Sequence, residues 1–376
     1  MKPTYRFANA DEYPKISAFL DAYWAKDHIY CRDKPLFDWT FSKRAHWQQD
    51  GYSFALAEEG DTLIGILGGI PFYFNVFGKT MNGVWIANYV LSPEHRRGTL
   101  ALQLLSQFRS EAFPAVIASG INPATSTIYK VLRGQVLAEI PRHFLVLPGQ
   151  SHRLERLLEI ARPEWDADKS RFLANSFEMS QLPAAGAAPG KCLPASWDEV
   201  DWPEIAARTV GAARTRDYLL WRYQRHPDFE YRIVTIGDGA RTGLAVWRLE
   251  TIRKATDAGR IDLDKIGRLV EFLPASPANA EALFAGFVNQ LKESDAMGAD
   301  YYGYHGPTRE TLRQLGFRPT DEVAGADLPS RFQPLDGKGG GILSAMFVPA
   351  DTPACTTAAD CPWYWTKSDS DQDRPN

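Results

Sequence analysis

The stretch NYVLSPEHRRGTLALQLL, Asn88 to Leu105, sets two arginines and a glycine where a β-rich run hands over to a helical one. Beyond Gly98, Leu102, Leu105 and Phe108 fall at helical spacing. The first turn of a helix leaves backbone N–H groups unpaired at the positive end of its dipole, so it attracts anions. Strand, turn and helix in that order present the amides of Arg97, Gly98, Thr99 and Leu100 to a pyrophosphate. Gly98 permits close backbone approach, and Arg96 or Arg97 adds counter-charge. After the next strand comes NPATSTIYKVLRG, residues 122–134. Asn122 followed by proline makes a good helix cap, and Tyr129 falls where it could pack on that helix's buried face.

The two stretches together resemble the acyl-CoA elements of the GNAT acyltransferases, V-x-P-x-x-R-x-x-G-x-G running into a helix and, one strand later, N-x-x-A-x-x-x-Y-x-x-x-G. The first departs from the pattern at Leu100, where the family has Gly or Ala, and its arginine-to-glycine spacing is one residue short. The resemblance implies acetyl-CoA or another acyl-CoA on the loop Arg96–Leu100, with Asn122 hydrogen-bonded to it. It implies that the backbone of Asn88, Tyr89 and Val90 polarises the thioester carbonyl. Tyr129 would then protonate the departing thiolate, which develops charge that a phenol meets.

These residues need a scaffold, and the chain supplies the grammar of one. Residues 11–24 place Tyr13, Ile16, Leu20 and Tyr23 at helical spacing. Residues 52–91 read as four strands parted by turn signals at Glu59-Gly60-Asp61, Ile70-Pro71 and Gly78-Lys79. A helix after Gly98, a strand at 115–120, a helix near 123–133 and the strand FLVLP follow. The fold class expected is α/β, or α+β: two tandem GNAT-like lobes, each a mixed, mainly antiparallel twisted sheet flanked by helices. Residues 1–150 form the first lobe, which would bind acyl-CoA. Residues 151–200 form a helix and a Pro/Gly/Ala-rich linker, 201–348 a second, degenerate lobe for the acceptor, and 349–376 a docked tail carrying Trp363, Tyr364 and Trp365.

The two lobes echo each other. LFDWTF (36–41) answers YLLWRY (218–223), DTLIGILGG (61–69) answers ARTGLAVWR (240–248), and ANYVLSP (87–93) answers VEFLPAS (270–276). SGINPATSTIYKVLRG (119–134) answers GYHGPTRETLRQLGF (303–317). Trp39 lies 83 residues before Asn122, and Trp221 lies 84 before His305. Such agreement in spacing points to a duplication. The second copy lacks the glycine and arginines of the loop, and has Leu312 and His305 where the first has Tyr129 and Asn122. It therefore suits an acceptor, an arrangement that resembles the tandem N-myristoyltransferases and Fem-type aminoacyltransferases.

Candidates to take a proton from an acceptor amine are Glu271, on the strand answering Asn88, and His28, whose unperturbed pKa suits a base. Asp27, Trp85 and His305 are expected to line the acceptor. Each also has a bland explanation: His28 as a helix-end residue held by a backbone carbonyl, Glu271 as a solvated edge charge. Hydrophobic residues at 44% and a net charge of −4 give no sign of nucleic-acid binding, and no apolar run approaches a membrane span. Cys31 and Cys192 stand alone, while Cys355 and Cys361 bracket five residues without completing a zinc pattern. Reduced thiols in a cytoplasmic protein, with no metal, are expected.

WAKDHIYCRDKPLFDW and the ending SDSDQDRPN resemble GNAT-type proteins of bacterial surface-polysaccharide biosynthesis. That implies an amine acceptor on an amino sugar borne by a nucleotide or lipid carrier. The alternatives are a Fem-like aminoacyltransferase and a non-catalytic GNAT-fold module that binds acyl-CoA or a glycan.

Overall fold

A computed structural model describes residues 2–375 apart from 43–46, 48–49, 97, 184–189, 192–199, 239–240, 258, 338–340 and 356–358. Arg97 and Cys192 thus lie outside the described residues. The apolar, β-branched run after Gly51 forms three antiparallel strands, Tyr52–Glu59, Thr62–Val76 and Lys79–Leu91. The turn expected at Ile70-Pro71 is absent, so three strands stand where four were predicted. Pro71 pairs with Val84 on one side. On the other, the neighbour 52–59 stops pairing at Gly68 and Val210–Ala212 starts only at Phe74. At Pro71 the strand is locally an edge, where a missing N–H is tolerated.

The first sheet runs Thr4–Ala8, 52–59, 62–76, 79–91, Ala115–Ile121, Leu343–Phe347, Gln135–Leu137. Along this path only 79–91 and 115–121 are parallel. The second runs Arg318–Pro319, Arg142–Val146, Gly298–Tyr302, Gly259–Leu273, Arg241–Thr256, Tyr231–Asp238, Gly190–Lys191, again with one parallel pair, 259–273 beside 298–302. Each sheet takes a strand from the far half of the chain. Residues 142–146, assigned by sequence to the first lobe, pair with 298–302. Residues 343–347, assigned to the second, pair with 115–121. The boundary expected near 150 therefore does not separate the two sheets.

Helices cover both sheets, giving a mixed α/β architecture. The helix Leu100–Phe108, which follows the turn at Gly98, buries Leu100, Leu104, Leu105 and Phe108 against the first sheet. At about 1.5–3 kcal/mol for each fully buried side chain, this packing fixes where the loop sits. On the other face, Ile16, Leu20, Phe37 and Phe41 of Tyr13–Tyr23 and Lys34–Phe41 join a core that includes Trp85, Trp363 and Trp365.

The counterpart tryptophans meet each other. Trp39 and Trp221 stack with centroids 4.7 Å apart and planes 17° from parallel. Each indole N–H donates to the other's backbone carbonyl, at 3.2 and 3.4 Å.

The cysteines depart from expectation: Cys355 and Cys361 form a disulfide, while Cys31 is a free, half-buried thiol. The two were treated as unpaired because five intervening residues carry no framework pattern. Their Cα atoms nonetheless lie 4.6 Å apart, within the usual disulfide range. No helix among the described residues is long and apolar enough to cross a membrane.

Candidate functional site

Strands 79–91 and 115–121 run parallel but stay together only from Gly83↔Ala115 to Ile86↔Ala118. Beyond that they part, and a wedge opens between 87–91 and 119–121. On its other side, strand 79–91 has a bulge: Gly68 faces Ala87 and Ile66 faces Val90, so Asn88 and Tyr89 share the place opposite Leu67. Asn88 takes φ 49°, a left-handed conformation that asparagine tolerates better than most residues. An extra residue bends a strand and redirects its side chains, and bulges favour functional sites.

Two buried polar atoms near this opening lack partners among the described residues, Asn88 Oδ1 and Tyr129 Oη. Tyr129 is 0% exposed, stacked on Phe347 with centroids 5.3 Å apart. Burial raises its pKa, so the phenol holds its proton throughout the neutral range. Tyr89 is likewise raised by burial and then by Tyr129, and donates its hydroxyl to the carbonyl of Ala101. An orphaned buried polar group costs about 1–3 kcal/mol and calls for an explanation. Val90, by contrast, is part of the core.

Asn122 caps the helix Pro123–Val131, its Oδ1 accepting from the N–H of Thr125 at 2.8 Å. The capping use of this residue is therefore real, and only its amide N–H groups are left for anything else. Gly98 has φ +105° and open space around the position of a Cβ. Thr99 does not cap the helix Leu100–Phe108 with its side chain, so the first-turn amides have no side-chain acceptor from that residue. Arg96 reaches back toward the carbonyl of Leu91 at 3.4 Å.

The acceptor-side candidates land elsewhere. Glu271 is 0% exposed and held by Arg214 at 3.0 Å and the Tyr223 hydroxyl at 2.5 Å. Burial raises its pKa, Arg214 opposes this, and the carboxylate faces no open cleft. His28 caps the short helix Ile29–Arg32 through Nδ1, with Nε2 3.4 Å from Arg374. Burial and then Arg374 push its pKa down to about 4, so it is a weak base. His305 caps Gly306–Gln314 as Asn122 caps its own helix, with a pKa lowered to about 4 by burial and then Arg208. Trp85 is core, stacked on Phe72 and edge-on to Trp365. Asp27 is exposed, in a turn with φ 55°, paired with Arg32.

A cavity of about 420 Å³ lies between the two sheets, its walls including Gly120, Arg248, Glu250, Arg268, Lys367 and Asp373. Gly120 is at the end of strand 115–121, so the cavity reaches the strand that forms one side of the wedge. A Cβ on Gly120 would lie 2.5 Å from Gln372, whose amide donates to the carbonyl of Ser119 at 3.1 Å. The tail thus passes close by the wedge. Sequence reasoning overlooked Lys367, Arg248 and Arg268. The signal available was the arginine ending GLAVWR, a charge amid alternating core residues.

The second sheet has a matching wedge, since 259–273 and 298–302 part after Leu269↔Tyr301. There the tail fills it. The Tyr364 hydroxyl accepts from the N–H of Phe272 at 3.0 Å. Trp363, Tyr364 and Trp365 are all buried.

No protein-family model matches the chain, and no curated protein sequence does. Solved structures do match. A GCN5-related N-acetyltransferase from Anabaena variabilis aligns with 80% of this chain at 13% identity and TM-score 0.52, and the chain spans 66%, just under two thirds, of that protein. One from Kribbella flavida aligns with 92% at 14% identity and TM-score 0.54, over 70% of its own length. Saccharomyces cerevisiae N-myristoyltransferase with bound myristoyl-CoA aligns with 92% at 13% identity and TM-score 0.53, over 82% of its length. At such identities the likeness is one of fold: this chain is built like a GCN5-related N-acetyltransferase and like an N-myristoyltransferase.

Proposed function

We propose that this chain is an acyl-CoA-dependent N-acyltransferase whose donor site is the wedge of the first sheet. The observation that carries the reading is the pair of orphaned buried polar atoms, Asn88 Oδ1 and Tyr129 Oη, beside a strand opening in a fold shared with acyltransferases. The donor's pyrophosphate would rest on the amides of Gly98, Thr99 and Leu100, with Arg96 and Arg97 as counter-charge. Asn122 would offer its amide N–H groups to the donor. The backbone of Asn88, Tyr89 and Val90 would polarise the thioester carbonyl. An amine attacks the carbonyl carbon directly, the C–N bond forms, the C–S bond breaks, and the thiolate takes the Tyr129 proton. With His28 and Glu271 both committed to other partners, the amine's own proton passes to solvent water.

The acceptor is a small-molecule amine. The resemblance of both chain ends to polysaccharide-biosynthesis proteins supports an amino sugar on a nucleotide or lipid carrier. The two halves are read as a duplicated unit, a reading supported by the Trp39–Trp221 reciprocity and the matching wedges. A non-catalytic acyl-CoA-binding module is the second reading, favoured by the complete burial of Tyr129. The Fem-like reading wants a long helical hairpin, and the longest helix among the described residues is Pro277–Glu293, 17 residues.

Calorimetric titration with acetyl-CoA and desulfo-CoA tests the donor site. Saturable binding is expected, weakened at least about tenfold in Gly98→Asp, which sets a carboxylate against the phosphates. Gly98→Ala, which introduces the same φ strain without charge, should lose much less. Absence of binding to either compound would remove the CoA-dependent reading.

A further inference from the structure

We propose that the cavity between the two sheets holds the acceptor by an anionic oxyacid group, a carboxylate or a phosphate, clasped by Lys367 and Arg248. This names the acceptor's chemistry within the function proposed above and rests on that reading for the word acceptor; the anion site itself stands on the cavity.

A chain of ion pairs lines the cavity and runs behind it. Asp373 meets Arg248 at 2.7 Å, and Arg248 meets Glu250 at 3.0 Å. Glu250 meets Arg268, Arg268 meets Asp300 at 3.3 Å, and Asp300 meets Arg142 at 2.9 Å. Three carboxylates and three guanidinium groups satisfy one another, so this chain is neutral. Lys367 and Arg331 are cations of the cavity wall outside this chain, Arg331 exposed and Lys367 half-buried. Lys367 makes no ion pair among the described residues and rests its ammonium over the Tyr302 ring, 4.8 Å from the centroid. Arg248, stacked on Phe229 at 4.0 Å, commits Nε and Nη2 to Asp373 and Glu250, and its Nη1 takes no partner among the described residues. Both free donors belong to side chains lining one cavity.

A half-buried ammonium without a counter-ion is costly, and the site shows it. Burial and then Arg268 push the Lys367 pKa down to about 7. An added anion removes that penalty. A neutral sugar hydroxyl does not, and a metal cation would find every nearby carboxylate already paired. An oxyacid group, with two or three acceptor oxygens, meets an ammonium and a guanidinium N–H together.

The test uses acetate and inorganic phosphate, titrated calorimetrically into the full chain and into Lys367→Met, Lys367→Arg and Gly98→Asp. Binding is expected in wild type and in Gly98→Asp, at least about tenfold weaker in Lys367→Met, and restored in Lys367→Arg, which keeps the charge. A preference for phosphate assigns a phosphorylated acceptor, and a preference for acetate a carboxylated one. Acetate stays ionised above pH 6, so its affinity should fall as pH rises through about 7, when Lys367 loses its proton. The other groups facing Lys367 keep their charge there: Asp300, Glu250 and Asp373 are held below the usual carboxylate range and Arg268 above its own. Equal affinities in wild type and Lys367→Met, or no binding of either anion, would overturn the proposal. Acetyl-CoA binding should survive Lys367→Met. Its loss in wild type alongside Lys367-dependent anion binding would sink the acyltransfer reading while leaving the anion site standing.

Discussion

The two sheets open the same wedge and treat it in opposite ways. In the first, strands 79–91 and 115–121 part beside Asn88 and Tyr129, each with a buried polar atom that nothing among the described residues satisfies. In the second, strands 259–273 and 298–302 part in the same manner. There the position answering Asn88 is Glu271, locked to Arg214, and the position answering Tyr129 is Leu312, fully buried. The Tyr364 hydroxyl meets the amide of Phe272, which answers Tyr89. One wedge is completed by the molecule's own tail; the other is left incomplete. The second wedge keeps one orphan of its own, Tyr301 Oη, but its opening is occupied by the tail, and this contrast supports the donor site proposed above for the first.

This contrast can be broken by substitution. The largest effect is expected at the plug's anchor. Arg214 joins Glu271 to Asp369, all three buried, so Arg214→Ala strands two carboxylates and should cost about 3–5 kcal/mol in urea unfolding. A loss under 1 kcal/mol would mean the tail is held by its tryptophans alone. Tyr129→Phe should lower acyl transfer about 10²–10⁴-fold while leaving acetyl-CoA affinity and stability nearly unchanged, because the hydroxyl has no partner to lose. Unchanged turnover, in an enzyme shown to turn over, would dissolve the asymmetry at that position. Smallest is Tyr364→Phe, which deprives the Phe272 amide of its acceptor and should cost about 1–3 kcal/mol without altering acetyl-CoA stoichiometry. A second molecule of acetyl-CoA bound to that variant would show the two wedges to be equivalent beneath the plug.

Much of this was legible in the sequence where the signal is local. Helix Leu100–Phe108 and strand Ala115–Ile121 follow from apolar period, and the capping role of Asn122 from its proline neighbour. The matched spacing of Trp39 and Trp221 singles out two residues that stack on each other. What was not legible is non-local. Nothing in RHFLV says that its neighbour is 298–302 rather than 115–121, because a strand carries no label for a distant partner. Pro71 was read as a turn because a missing N–H usually marks one; here a gap between neighbours accommodates it. Glu271 looked free because Arg214 and Asp369 lie far from it along the chain.

The exchange of strands 142–146 and 343–347 bears on how the chain is made. Ser119 and Ser344, side by side in the first sheet, are 225 residues apart in sequence. At the ribosome's usual pace of about 5–20 residues per second, strand 115–121 waits roughly 10–45 s for its neighbour. Through that interval an apolar edge, AVIASGI, lies open to pairing with other chains. Separate expression would leave each half with an unpaired edge where the other's strand belongs. Each half thus supplies the strand that covers the other's open edge.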